Sequence, residues 1–313
     1  MWLRWVISNL LSEVAEKKVR GAVEQVRSQM QVSRADSPDR AAQAETPACD
    51  IVAVFALGLE ANALVDRMQG VVATPCASFV ERVGVLDGHR LVVAESGVGA
   101  VAARQATEDV IALHHPAWII SAGFAGALHE SSRRGHIVMA DQIVDPHHHV
   151  LTVPFHIDPR VVAANRTLHV GRLLSVDHVV LKADEKRRLA AAHQAIACDM
   201  ETMAVAKVCQ EHGVRFLSVR VISDLLDESL PVEIEHLIGQ HTIAAKLGAA
   251  TRAVFHRPGS VKDLWKLREL AGRCSEKLAQ FLAGVILQLR AEADAVRNHA
   301  LHRDESAKGG RQR

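Results

Sequence analysis

The sequence predicts an α/β fold in which at least part of the sheet is parallel. A continuous apolar run at residues 51–57, IVAVFAL, is typical of a strand that is buried on both faces of a parallel sheet. Segments with strand-like and helix-like patterns alternate from there as far as residue 222. Hydrophobic residues make up 49% of the 313-residue chain, which is enough to form a sizeable core.

Each element of this fold follows from its local pattern. A helix is expected after the first strand, from Leu59 to Met68. Two extended runs, Ser78–Leu86 and Arg90–Ala94, flank Asp87-Gly88, a dipeptide that is typical of a tight hairpin turn. A helix at Ala100–His114 comes next. The remaining expected elements are strands at Trp118–Ala122, Ile137–Val144, Leu168–Leu174, Ile196–Cys198 and Phe216–Ile222, and helices at 183–193, Glu201–His212 and Val232–Phe255.

The N-terminal segment differs from the rest of the chain in its pattern of apolar and polar residues. Residues 1–30 carry apolar side chains at the spacing of an amphipathic helix. Such a helix is expected to pack on the body of the protein or on a second copy. Alternatively, because Trp2 and Trp5 lie beside Arg4, it could make peripheral contact with a membrane surface. Residues 31–49 are polar and contain two prolines, so they are expected to form a linker.

The C-terminal segment is predicted to be helical and then loose. Residues 257–300 are expected to form a helical extension, because Ser260 followed by Asp263 is a signal for a helix start. Apolar residues then recur at helical spacing. Residues 301–313 are polar and are expected to be a disordered tail.

Composition and charge exclude several classes of protein. The net charge is +1, from 37 basic and 36 acidic residues, which argues against a nucleic-acid-binding protein. The five cysteines are odd in number and form no C-x-x-C pair, so we expect a reduced, cytoplasmic protein without a disulfide framework. No apolar run reaches the ~18 residues of a transmembrane helix, and no signal peptide is expected.

Two polar clusters are expected to have no catalytic role. The adjacent histidines at 147–149 seldom project to one point, so they are interpreted as a solvated loop, and neither a metal nor a cofactor is expected. The charged run Asp184–Arg188 is expected to be the solvated face of a helix.

Four junctions between a strand and a helix are rich in residues that suit a binding site. They are Gly58-Leu59-Glu60, residues 96–99 (S-G-V-G), Asp199-Met200-Glu201 and Ser223-Asp224. If the strands are parallel, all four junctions meet at the edge of the sheet where α/β proteins bind ligands. Three carboxylates would then surround a glycine loop that lets a ligand approach backbone N–H groups. Taken singly, each junction could equally be a tight turn or a helix cap.

Five short motifs carry a family resemblance. They are A-L-G-L-E (56–60), E-S-G-V-G-A-V-A-A (95–103), S-A-G-F-A-G-A-L (121–128), D-M-E-T-M-A-V-A (199–206) and V-R-V-I-S-D (219–224). In order and spacing the chain resembles the nucleoside phosphorylase superfamily over about residues 50 to 256, and most closely its 5'-methylthioadenosine/S-adenosylhomocysteine nucleosidase branch. The resemblance implies one catalytic domain with a central, mixed, twisted sheet flanked by helices, assembled as a homodimer.

The resemblance also implies roles for individual residues. Asp224 is similar to the acid that protonates the purine N7, Glu60 to the base that activates water, and Arg220 to the arginine near the attacking water. Met200 and Glu201 are similar to the pair that binds the ribose. The other implied substrate-binding residues are Gly97 in the second glycine loop, Phe124, Ala125 and Gly126 beside the sugar and base, Val179 and Val180 against the base, and Ser223, which orients Asp224.

These residues predict a hydrolase that takes a small nucleoside and no nucleic acid. Phosphorylases hold phosphate with cationic groups, whereas the first junction carries Glu60, which would repel it. Arg104, in the following helix, is the cation that keeps a purine nucleoside phosphorylase open as an alternative. Residues 220–231 and 255–267 also resemble hopanoid-associated nucleosidases or phosphorylases, which act on a lipid-linked adenosine. A further alternative is a nucleoside-binding module without catalytic activity.

The chain departs from the nucleosidase pattern at two positions. Phe124 stands where that branch commonly has serine, and Val179 stands where an aromatic residue is expected to stack on the base. Both departures leave the choice of nucleoside open.

Overall fold

A computed structural model of the chain describes residues 50–155, 157, 159–231, 234 and 269–290. The predicted N-terminal helix and linker, the predicted helix at 232–255 apart from Ile234, and the predicted tail at 301–313 lie outside the described residues.

The described residues contain strands and helices in the alternation that the sequence predicts. The strands are β1 (Ile51–Phe55), β2 (Gln69–Pro75), β3 (Val80–Leu86), β4 (His89–Glu95), β5 (Trp118–Ala127), β6 (Ile137–Val144), β7 (Val150–Thr152), β8 (Leu168–Ser175), β9 (Ala197–Asp199) and β10 (Arg215–Asp224). The helices are α1 (Gly58–Val65), α2 (Ala100–His114), α3 (Pro159–Ala164), α4 (Ala183–His193), α5 (Thr202–His212) and α6 (269–290).

The strands form one mixed sheet, in the order β10-β6-β8-β9-β5-β1-β4-β3-β2, with β7 on β6. Because β10 also pairs with β5, the strands β5, β10, β6, β8 and β9 close into a ring. The pairs β1–β4, β1–β5 and β5–β10 are parallel. The pairs β5–β9 and β6–β10 are antiparallel. The predicted central mixed sheet with flanking helices is therefore confirmed.

The predicted hairpin turn is present, whereas three elements of the fold were not predicted. Asp87 and Gly88 both have positive φ, as the predicted hairpin requires. The three elements that were not predicted are β2, β7 and α3. Strand β2 lies at an edge of the sheet and all its residues are exposed, so it lacks the apolar signal on which strand prediction depends.

Helix α6 belongs to the same hydrophobic core as the sheet, although its residues were predicted as part of an extension. Cys274, Leu278, Leu282 and Ile286 are buried in that core. Ser275 Oγ donates a hydrogen bond of 3.0 Å to the backbone carbonyl oxygen of Glu60. Helix α6 therefore contacts the first strand–helix junction through the backbone of Glu60.

Among the described helices, none combines the length and the apolar character that a membrane span requires.

Candidate active site

The predicted site residues gather at one edge of the sheet. The carboxyl ends of β1, β4 and β10 meet there, as expected for strands that run parallel. The condition that all four strands are parallel is not met by β9, which runs antiparallel to β5 although it is parallel to β8. Its Cys198 pairs with Gly126, however, so Asp199 and the following turn still reach the same edge.

Glu60 lies in the first turn of α1, directly after β1. Its Oε2 accepts a hydrogen bond of 2.9 Å from the Leu57 amide, and its Oε1 accepts one of 2.8 Å from the Phe124 amide. Burial raises the pKa of this carboxyl group, while the Phe124 amide and the charge of Arg220 lower it. A buried carboxylate with a raised pKa is a better proton acceptor than one in water.

Glu60 and Arg220 meet across the Cα atom of Gly123. A Cβ atom at Gly123 would lie 2.8 Å from Glu60 Oε1 and 2.6 Å from Arg220 Nη1. The backbone of β5 passes this closely because β10 is paired with it, with Arg220 opposite Gly123. Any side chain at this position would have to displace one of the two charged groups.

Arg220 is held in a buried network. Its Nη2 lies 2.7 Å from Asp199 Oδ2 and donates to the hydroxyls of Ser121 and Thr202, each at 2.7 Å. Asp199 Oδ2 also accepts from the Thr202 amide at 3.0 Å. The network fixes the turn between β9 and α5 against β10, so breaking it would leave a buried charge unpaired.

Asp199 and Thr202 are therefore site residues that sequence reasoning missed. Asp199 stands inside the D-M-E motif, where only the last two residues were given a role. Its acidic side chain, which directly follows an apolar strand, was the available signal for a buried ion pair.

Glu201 joins two of the predicted junctions. It precedes α5 without capping that helix through its own side chain. Its Oε1 instead accepts a hydrogen bond of 2.7 Å from the amide of Gly99 in the second glycine loop. Burial and the neighbouring Asp199 charge raise its pKa to about 8. A carboxyl group so placed faces the glycine loop and can accept hydroxyl donors beside it.

The second glycine loop has a backbone that suits glycine. Gly97 and Gly99 have φ values of +81° and +94°, in the region that residues with a Cβ avoid. The Gly97 amide donates to the Ala56 carbonyl oxygen at 3.0 Å, which ties this loop to the end of β1. Gly97 therefore shapes the loop that presents the Gly99 amide.

Asp224 ends β10 and is buried. Its Oδ1 accepts a hydrogen bond of 2.6 Å from the Ser223 hydroxyl, and its Oδ2 forms an ion pair with Lys186 Nζ. A Cβ atom at Gly126 would lie 3.1 Å from Asp224 Oδ2, so β5 passes closely here as well. Ser223 Oγ also lies 3.3 Å from the Ala125 carbonyl oxygen, which ties the Asp224 turn to β5.

Lys186 contradicts the expectation that Asp184–Arg188 is a solvated face. Its side chain is completely buried, whereas Arg187 beside it is half exposed. The difference arises from a partner 38 residues away in the chain, which no local pattern reveals.

The residues predicted to contact the base lie in and around a small apolar cluster. Val180 and Cys198 are buried in it and Met200 packs against it. Val179 is half buried. Cys198 Sγ would lie 3.3 Å from a Cβ at Gly126, so the cluster adjoins the Asp224 end of the site.

Phe124 reaches the site through its backbone. Its amide binds Glu60, and its half-buried side chain packs against the main core. The backbone contact is one that a serine at this position could make equally well.

The charges around the first junction disfavour an anion. A Cβ at Gly58 would lie 3.2 Å from each Glu95 carboxylate oxygen, so a second carboxylate stands beside Glu60's helix. Arg82 is occupied by an ion pair with Glu95. Arg104 is exposed and paired with Glu211 at 2.7 Å. The arginine that kept phosphate binding open is therefore engaged elsewhere.

Comparisons with known proteins agree on one family. The family model described as "Phosphorylase superfamily" matches residues 50–254. A 5'-methylthioadenosine/S-adenosylhomocysteine nucleosidase from Shewanella halifaxensis is 28% identical over 216 residues, which are 60% of this chain and 93% of that relative. The protein of the same name from Shewanella oneidensis is 30% identical over 179 residues, which are 50% of this chain and 75% of that relative.

Solved structures have the same fold. The nucleosidase of that name from Helicobacter pylori, with butyl-thio-DADMe-Immucillin-A, superposes with a TM-score of 0.59 at 20% identity and covers 77% of this chain and 99% of its own. The futalosine hydrolase of Helicobacter pylori superposes with a TM-score of 0.58 at 20% identity and covers 77% of this chain and 98% of its own.

Proposed function

The chain belongs to the phosphorylase superfamily, and on that premise we propose that it is a purine nucleosidase. It hydrolyses the N-glycosidic bond of an adenine nucleoside, such as 5'-methylthioadenosine or S-adenosylhomocysteine, and releases adenine. Asp224 is the acid and Glu60 is the base for water. The observation that carries the proposal is a pair of buried carboxylates, Glu60 against Gly123 and Asp224 against Gly126 on the same strand.

The two carboxyl groups can divide the two proton transfers of the reaction between them. Cleavage passes through an oxocarbenium-like sugar, so the leaving purine needs a proton and the attacking water needs a base on the opposite face. Gly123 and Gly126 are three residues apart on β5, so their Cα atoms lie roughly 10 Å apart in an extended strand.

Glu60 is suited to take the proton of water. Burial raises its pKa, and its hydrogen bonds from Leu57 and Phe124 fix the direction of its oxygens. Arg220 stands beside it across Gly123. Its positive charge can stabilise the hydroxide that forms as Glu60 takes a proton from water.

Glu201 is suited to hold the sugar. Its carboxyl group is anchored by the Gly99 amide and lies at the same edge as Glu60, whose charge contributes to its raised pKa. In the proposed complex Glu201 accepts the ribose hydroxyls, and the apolar cluster with Val180 and Met200 lies against the base.

Water is the proposed nucleophile rather than phosphate. Glu95 stands beside Gly58, and Arg104 is paired with Glu211 on the surface. Both features disfavour a phosphate anion at the first junction.

The test is release of free adenine by the purified full-length protein. We expect turnover of 5'-methylthioadenosine, and D224N should reduce kcat by about 10²–10⁴-fold because the acid is lost. S-adenosylhomocysteine, adenosine, inosine, futalosine and a lipid-linked adenosine complete the panel and rank the substrates. Absence of base release from the whole panel, or a D224N protein as active as the wild type, would refute the proposal.

A further inference from the structure

Lys186 lies completely buried beside the acid, in the first turn of α4. Its Nζ forms an ion pair with Asp224 Oδ2 and donates to the carbonyl oxygens of Leu225, at 2.8 Å, and Glu228, at 2.9 Å. All three N–H bonds of the ammonium group are therefore used. Lysine is almost never fully buried unless it is paired. These three contacts provide the pairing that lets the fold bury the Lys186 ammonium group.

The same lysine fastens the loop that follows β10. Leu225 and Glu228 belong to this loop, and the Leu225 amide donates to Glu228 Oε2 at 3.2 Å. The Leu230 amide donates to the Leu181 carbonyl oxygen at 2.8 Å, which attaches the loop to the chain just before α4. With Ser223 on Oδ1 and Lys186 on Oδ2, the Asp224 carboxylate cannot rotate without breaking one of these contacts.

The ion pair also contains the proton that the reaction needs. An ammonium group and a carboxylate share one transferable proton, which resides on Nζ in the ion-paired form. We propose that Lys186 is a positioning residue for the acid, which holds Asp224 toward the leaving base and supplies the proton that Asp224 delivers. This inference rests on the function proposed above.

The proposed step is balanced in protons and electrons. As the bond between the sugar C1' and the purine N9 breaks, its electron pair goes to the purine. An N–H bond of Lys186 breaks and its proton passes to the Asp224 carboxylate, which delivers a proton to the purine N7. A neutral amine then remains beside a carboxylate. Water, having given a proton to Glu60, adds to C1'. When the products leave, Glu60 releases its proton to solvent and Lys186 takes one from solvent.

Other titratable groups lie close to the pair. The Cys198 thiol faces it from β9, and burial raises the pKa of that thiol, so it stays neutral. Glu228 is engaged by Arg134 in an ion pair. The charge beside Asp224 that a substitution can most directly remove is therefore that of Lys186.

The test compares kcat and KM for 5'-methylthioadenosine in the full-length protein and its variants. K186M should lower kcat by at least about 50-fold, since general acid catalysis contributes 10²–10⁴-fold. KM should stay within about threefold. The matched control is R187M, the next residue on the same helix, which is half exposed and should keep wild-type turnover. The double variant D224N/K186M should be no slower than D224N, because both changes disable the same acid.

A second readout separates supply of the proton from mere support of the fold. K186Q keeps an N–H donor without the charge, so Asp224 must take its proton from solvent. Its activity should therefore fall at lower pH than that of the wild type, by about one pH unit or more on the alkaline side. K186R, which keeps the charge and the donors, should restore the wild-type profile in part. If Lys186 only filled space, K186Q and the wild type would have the same pH dependence of activity.

The outcomes distinguish this inference from the proposed function. An active wild type with K186M within threefold of it overturns the role of Lys186 alone. So does a D224N/K186M loss equal to the product of the two single losses. If K186M does not fold, the pH profile of K186Q decides, and an unshifted profile overturns the inference. If the wild type releases no base from any purine nucleoside, the proposed function and this inference fail together.

Discussion

The Glu60 carboxylate accepts a hydrogen bond of 2.8 Å from the backbone amide of Phe124. This contact joins the first turn of α1 to the end of β5, which are 64 residues apart in the chain. It also explains how Phe124 can occupy the site without its side chain taking part, because the contribution comes from the main chain. Glu60 is thus positioned by a distant segment of the fold as well as by its sequence neighbour Leu57.

Replacing Glu60 should remove activity and weaken the fold only modestly. E60Q keeps the shape of the side chain and an oxygen acceptor for the Phe124 amide, but it cannot take a proton from water, and its NH2 group faces the Leu57 amide. We expect kcat to fall by about 10²–10⁴-fold and the free energy of unfolding to fall by about 1–3 kcal/mol, because the Leu57 amide loses its acceptor. Adenine release and urea unfolding measure the two quantities, with E130Q, at an exposed glutamate, as the control. Turnover of E60Q close to that of the wild type would remove Glu60 from the mechanism.

Adding one methyl group at Gly123 should damage the site. In G123A the Cβ atom would approach Arg220 Nη1 and Glu60 Oε1 to 2.6 and 2.8 Å. We expect a loss of about 1–3 kcal/mol in the free energy of unfolding and a large loss of kcat. The control is G272A, in helix α6, where no atom lies within 4 Å of the added Cβ. G272A should stabilise the protein by about 0.5–1 kcal/mol, and equal effects of the two variants would contradict the close approach at Gly123.

The raised pKa of Glu201 should make stability depend on pH. Its pKa is raised from 4.5 to about 8, chiefly by burial and then by Asp199. Between these values the folded protein keeps the proton that the unfolded chain has lost, so the free energy of unfolding should fall as pH rises through this interval. E201Q should show a smaller fall between about pH 5 and about pH 8 in urea unfolding. E130Q, at an exposed glutamate, is the control. An identical pH dependence in wild type and E201Q would disprove the assignment.

Helix α6 should contribute to the stability of the catalytic core. Leu278 is fully buried in the core, whereas Leu287 on the same helix is 44% exposed. L278A should lower the free energy of unfolding by about 2–5 kcal/mol, and L287A should change it by less than about 0.5 kcal/mol. Urea unfolding of both variants measures the contrast. If L278A proved as mild as L287A, the helix would not be packed as described.

The sequence was sufficient for much of the fold because its main signals are local. The apolar run of β1 and the Asp87-Gly88 turn each depend on neighbouring residues, and both are found where they were predicted. Strand β2 was missed because an exposed edge strand has no buried face to leave a pattern.

The candidate site was predictable only where a motif singles out a residue. Glu60, Glu201 and Asp224 each follow an apolar strand, and the fold brings their junctions to one edge. Lys186 has no such signal, because it lies in a run of charged residues and differs from Arg187 only by its distant partner Asp224. Buried ion pairs between remote segments are set by the tertiary fold, which a local pattern does not contain.

The most direct test of the central claim is the identity of the sugar formed from 5'-methylthioadenosine in phosphate-free buffer and in buffer with added phosphate. If the protein is a hydrolase, adenine and free 5-methylthioribose should form at the same rate in both buffers, and oxygen-18 from labelled water should enter the sugar at C1. Adenine release that requires phosphate and yields a sugar phosphate would contradict the account.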